Sequence, residues 1–155
     1  MSFRIKGLSP DPFRDLYGLA DEGLARRGAI RCIADAKPGF PDRIELRDAE
    51  PGESLILLNY VHQPAATPYQ ASHAIFVREG ALQAYDALDE IPTALRIRPI
   101  SLRAFDARHM MLDAALCDGM ELEAVIKRLL SRGEIDYLHA HYAKAGCYAG
   151  RIERA

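Results

Sequence analysis

A chain of 155 residues, 49% hydrophobic and 27% charged, is long enough to bury a core without staples, and no segment is polar enough to stay disordered. Its 20 basic and 22 acidic residues are scattered and sum to a net charge of −2, which excludes the dense basic face that nucleic-acid or anionic-membrane partners need. Cys32, Cys117 and Cys147, widely spaced and without a Cys-x-x-Cys pair, exclude a disulfide framework and a thiolate zinc site; reduced thiols and no apolar leader point to a cytoplasmic location.

In chain order, Phe3 and Ile5 alternate with Arg4 and Lys6 as a short strand. Asp11-Pro12 then starts a helix expected over 12–27, with Phe13, Leu16, Tyr17, Ala20 and Leu24 at helical spacing and Gly28 as its stop. Ile30 to Asp35 reads as a strand. Arg43 to Arg47 alternates strictly, which predicts Ile44 and Leu46 inward, their charged neighbours in water, and a strand paired with the one over 54–62. Residues 63–70 read as a loop and 73–79 as a strand, while 80–94 are ambiguous with a short helical turn as one reading.

Leu95 to Phe105 is a long β-pattern whose apolar phase shifts at Pro99, as a bulge would produce, and His109 to Cys117 returns as its hairpin partner. Asp118 and Glu121 make a capping-box pattern before the stripe Leu122, Val125, Ile126, Leu129 and Leu130, which predicts a second helix over 119–132. Two strands around the Ala143 to Gly146 turn close the chain. The expected fold is one α+β domain over 1–155. It has a mostly antiparallel sheet of about eight or nine strands with the two helices packed on it.

Nucleotide loops, hydrolase elbows and zincin helices are absent from the sequence. Soft side chains gather instead in the last strand pair. Extended backbone puts Tyr137, His139 and His141 on one face, with the two imidazoles about 7 Å apart at their bases, a spacing that suits two ligands to one metal. Such a pair also arises on the half-exposed face of an ordinary strand. A third ligand would come from His62, His73, His109, a carboxylate or Cys147. Cys147 is either a small buried apolar residue or a nucleophile near the imidazoles, and hairpin register decides between faces. A four-residue turn pairs it with Tyr142 and puts the thiol opposite the histidines, whereas a three-residue turn pairs it with Ala143 and puts it beside them. Arg78, Arg96, Arg98, Arg103, Arg151 and Arg154 form either a solvated strand face or an anion-holding set.

Several stretches carry a resemblance: Gly39-Phe40-Pro41-Asp42-Arg43, Asp48-Ala49-Glu50-Pro51-Gly52-Glu53, Leu57-Leu58-Asn59-Tyr60, Pro68-Tyr69, Ile75-Phe76-Val77-Arg78-Glu79, Arg103-Ala104-Phe105-Asp106, His141-Tyr142-Ala143, Gly146-Cys147-Tyr148 and Arg154-Ala155. On these the chain resembles a bacterial family known only as domain of unknown function 1203. The resemblance implies a single domain and brings no activity. The family pattern often has Cys at the place of Asp42 and Asn at that of Tyr142, so Cys147 lacks here the second thiol that pattern supplies.

Two functional readings follow. The first is a small-molecule-binding domain, or an enzyme, whose pocket draws on His139, His141, Cys147 and Arg103 for chemistry and on Tyr69, Tyr137 and Arg78 for binding. No cofactor is required by any motif, and a divalent metal would sit on His139 and His141. The second is a non-catalytic interaction module, or a domain that self-associates, which predicts scattered histidines and a broad apolar surface.

Overall fold

A computed structural model describes residues 1–155. Nine strands form two antiparallel sheets, giving the expected α+β fold. One sheet contains β1 (Phe3–Lys6), β5 (Asp86–Leu88), β6 (Pro99–Phe105), β7 (Met111–Asp118), β8 (Tyr137–Tyr142) and β9 (Tyr148–Arg154), in the order β5-β1-β9-β8-β6-β7. The other contains β2 (Ile30–Ile33), β3 (Ser54–Gln63) and β4 (Ala71–Arg78), with β3 in the middle. No helix is long and apolar enough to cross a membrane.

The main core lies on one face of the six-stranded sheet. There α3 (Leu122–Leu130) buries Leu122, Ile126, Leu129 and Leu130 against Leu102, Ala104, Leu138, Ala140 and Ile152. Asp118 caps its approach by accepting from the Met120 N–H at 3.0 Å, although the first turn, Gly119–Glu121, is a 3-10 helix.

The helix expected over 12–27 is two pieces: a 3-10 helix at Asp11–Leu16 and α1 at Asp21–Arg26. Gly18, at φ +77°, takes the left-handed backbone that separates them. Both pieces still deliver Phe13, Leu16 and Leu24 to a second core with Ile56, Ile75 and Val77 of the three-stranded sheet. The β-pattern over 95–105 also divides. Thr93–Arg96 is a single helical turn, α2, and β6 begins at Pro99, so the phase shift there marks a change of element, with no bulge at that point.

The largest departure concerns 43–47, which is not a strand. The segment is irregular, with Leu46 at φ +51°, and β3 pairs with β2 and β4 instead. Ile44 and Leu46 are buried as the alternation predicts, but Arg43 is buried too, at 1% exposure. The segment runs between the sheets. The Arg43 backbone N–H donates to the Phe76 carbonyl of β4, and the Leu8 N–H beyond β1 donates to the Arg43 carbonyl at 2.8 Å.

Asp42 fixes this path. Its carboxylate accepts the Glu45 and Arg78 backbone N–H groups, each at 2.6 Å, while burial pushes its carboxyl above the usual carboxylate range. We expect Asp42→Ala to lower stability by about 2–4 kcal/mol, the cost of leaving two part-buried donors without acceptors. Asp42→Asn, which keeps an acceptor oxygen, should lose less. Urea unfolding of the two variants beside the wild type measures both.

Candidate functional site

Side chains alternate along β8. Leu138 and Ala140 point into the core under α3, so Tyr137, His139 and His141 share the opposite face, and that face meets the three-stranded sheet. The meeting strand is β3. One face of the three-stranded sheet runs from Ile56, Ile75 and Val77 in the second core to His62 and His73 at its other end. His62 lies 5.8 Å from His139 and 5.0 Å from His141, centroid to centroid, and its ring is nearly parallel to both His73 and Tyr148.

The hydrogen bonds of this cluster determine which ring nitrogens are free. The His141 Nδ1 faces the Gly146 carbonyl at 2.9 Å, and a carbonyl only accepts, so Nδ1 carries the proton and Nε2 carries the lone pair. His62 Nε2 shares a 2.8 Å hydrogen bond with His73 Nδ1, which leaves His62 Nδ1 unpartnered. His139 Nδ1 is also unpartnered. Four buried polar side-chain atoms in the protein lack a partner; three are these imidazole nitrogens and the fourth is Tyr142 Oη.

One ring nitrogen from each of His62, His139 and His141 lies within 4.8 Å of the other two. A tetrahedral zinc site with Zn–N of about 2.0–2.1 Å spaces its ligand nitrogens by ~3.4 Å, within reach of small side-chain rotations. Burial holds all three imidazoles neutral, the form that ligates: His62 is lowered to about 4, and His139 and His141 to about 3. His73 is lowered as well, again by burial. The set is all nitrogen, which suits zinc and the later transition metals and disfavours magnesium or calcium.

Beside the cluster, Tyr137 Oη sits between Gln63 Nε2 and His109 Nδ1, each at 2.8 Å. These groups, with His62 and His139, line a pocket of about 310 Å³. Arg151 reaches over the Tyr137 ring, 3.9 Å from its centroid. Arg103 is the cross-strand neighbour of His139 and is half-buried; its side chain makes no hydrogen bond or ion pair within the protein, although its charge helps to depress His62 and His73.

Other expected site residues lie apart. Arg78 is engaged by Glu45 and Glu53 at the segment bound to Asp42. Tyr69 packs its ring 6.4 Å from that of Phe105, at the rim beyond Tyr137. Cys147 takes the four-residue register: the Tyr142 N–H donates to its carbonyl at 2.9 Å, Gly146 sits at φ +81°, and His141 pairs with Tyr148. The thiol therefore lies on the opposite side of β8–β9 from the imidazoles, against Arg43 Nη2 at 3.1 Å. Arg43 itself escapes a reading of the sequence, since alternation places it in water.

A family model described as Protein of unknown function (DUF1203) matches residues 39–154, and the chain belongs to that family. No curated protein and no solved structure matches the chain.

Because the clustered imidazoles are depressed, the unfolded chain binds more protons below pH ~6.5, and stability falls as pH drops from there toward about 3. In chelator-treated protein the urea midpoint should be lower at pH 5 than at pH 7.5, and His139→Gln/His141→Gln should flatten the difference. An unchanged wild-type midpoint would contradict neutral burial.

Proposed function

We propose that the protein is a metal-dependent small-molecule-binding domain, holding one zinc-class divalent ion on His62, His139 and His141. The observation that carries this reading is that His62, His139 and His141, from β3 and β8, each hold one buried ring nitrogen without a partner and also bring one ring nitrogen apiece within 4.8 Å of the other two. A buried polar nitrogen without a partner costs about 1–3 kcal/mol, and a cation that took a lone pair from each ring would offset that cost at all three.

The surrounding bonds are those a ligating histidine uses. The Gly146 carbonyl fixes the His141 tautomer, and a His62 Nε2–H donating to His73 Nδ1 would leave the His62 Nδ1 lone pair for an ion. Three protein nitrogens leave a fourth position for water or a ligand oxygen. A bound ion would act there as a Lewis acid. The pocket beside Tyr137 and His109 supplies the space for a small molecule, and Arg151 in its wall supplies a positive charge for an anionic one. A bare interaction module offers no account of histidines that converge, since it predicts them scattered.

Metal-stripped protein titrated with Zn²⁺ or Co²⁺ should bind one equivalent, with a tetrahedral Co²⁺ spectrum and a rise in Tm. His139→Ala and His141→Ala should weaken binding by more than the ~10–100-fold that loss of an outer partner costs. His73→Ala should fall within that smaller range. Wild-type protein that takes up neither ion saturably would sink the reading.

A further inference from the structure

A second feature shares no lining residue with the pocket beside Tyr137, although His73, the hydrogen-bond partner of His62, stands in its wall. The largest cleft, about 730 Å³, opens beside the β8–β9 turn. Its lining includes Arg43, Arg98 and Lys144 but no aspartate or glutamate, with Phe76, Tyr142 and Cys147 among the remaining walls.

Arg43 is the unusual member. It is 1% exposed, and its partners are the Tyr148 carbonyl at Nε, the Pro41 carbonyl at Nη1 and Cys147 Sγ at Nη2. None of them is a carboxylate. A guanidinium has five N–H donors, so two remain beyond these three bonds. Removing a charge from water without a counter-charge is costly, and two carbonyls and a thiol leave this one without a formal counter-ion. Arg98 lies 5.1 Å from the Tyr142 ring centroid and Arg43 4.9 Å from it. Arg98 is answered by Asp48, whereas Arg43 and Lys144 have no acid partner.

Tyr142 gives an independent sign. It is 5% exposed, it lines this cleft, and its Oη is the fourth buried polar atom without a partner. An uncompensated cation and an unpartnered hydroxyl in the wall of one cleft both call for a polar group that the protein does not supply.

We propose that this cleft binds a small organic carboxylate, its charged group against Arg43 and Lys144 and its body along Phe76 and Tyr142, beside Cys147 Sγ. A carboxylate matches the remaining donors of the guanidinium, and the apolar rings accept the carbon skeleton. Tyr142 and Cys147 stand on the opposite side of β8–β9 from His139 and His141; His73 alone of the clustered imidazoles borders the cleft, and none of His62, His139 and His141 lines it.

Alkylation of the full-length, metal-stripped protein tests this directly. Iodoacetate and iodoacetamide react alike: a bond forms from Sγ to the methylene carbon, the C–I bond breaks, iodide leaves with the electron pair, and the thiol proton passes to buffer. They differ in charge, so the ratio of their rates at one thiol reports anion preference and is independent of how much of that thiol is ionised. With peptide mass spectrometry, the iodoacetate-to-iodoacetamide ratio at Cys147 should exceed that at Cys32, or at free glutathione, by at least about tenfold, the lower end of what a cationic cleft produces. Lys144→Glu, at an exposed position, should bring the ratio back toward the reference. A ratio at Cys147 equal to or below the reference overturns the proposal. So does failure of both reagents to label Cys147 while they label Cys32, because the cleft would then not admit the carboxylate to the thiol.

Discussion

The layer between the two sheets depends on one constraint: a ring nitrogen or hydroxyl taken out of water has to find a partner. Aliphatic side chains would close that gap without a polar penalty, as they do under α3. Here the gap is closed by His62, His73, His139, His141, Tyr137 and Tyr148. Tyr137 shows the constraint satisfied, its hydroxyl held from both sides by Gln63 and His109. The three ligand-type nitrogens show it unsatisfied by the protein, while the nitrogens on the other edges of His62 and His141 are well held.

The same constraint acts on the segment that passes between the sheets. Asp42 absorbs two backbone donors and so fixes the path that carries the Arg43 side chain inward, toward the β8–β9 turn. Strand alternation sets the two candidate sites on opposite faces of β8–β9, with His73 bordering both. His139 and His141 face the three-stranded sheet, and Tyr142 and Cys147 face the other way. Their chemistries differ accordingly: neutral ring nitrogens gather on one side, and Arg43 and Lys144 without acid partners on the other.

Much of the frame was legible in the residues because period and punctuation report local structure. The stripe from Leu122 to Leu130 made a helix, and alternation over 137–142 put the histidines on one face. The segment 43–47 misled because its alternation belongs to an irregular passage buried on both sides, in which Arg43 and Ile44 are both interior. Alternation reports faces only where one of them is wet. The third imidazole was not recoverable locally. His62 comes from a strand of the other sheet, more than seventy residues earlier, and only the packing of two sheets brings it to His139. Hairpin register was undecided for a similar reason, since Gly146 permits either turn; the bond from Tyr142 N–H to the Cys147 carbonyl selects the four-residue form.

The hydrogen bond from His141 to the Gly146 carbonyl links these two regions thermodynamically. The tautomer that frees Nε2 is the one whose Nδ1–H holds that carbonyl, and Gly146 directly precedes Cys147. Whatever binds Nε2 therefore favours the closed turn by the same free energy that the closed turn contributes to its binding. A strand only one residue thick thus joins its two sides through one hydrogen bond, from the imidazole on one to the backbone that carries Lys144 and Cys147 on the other.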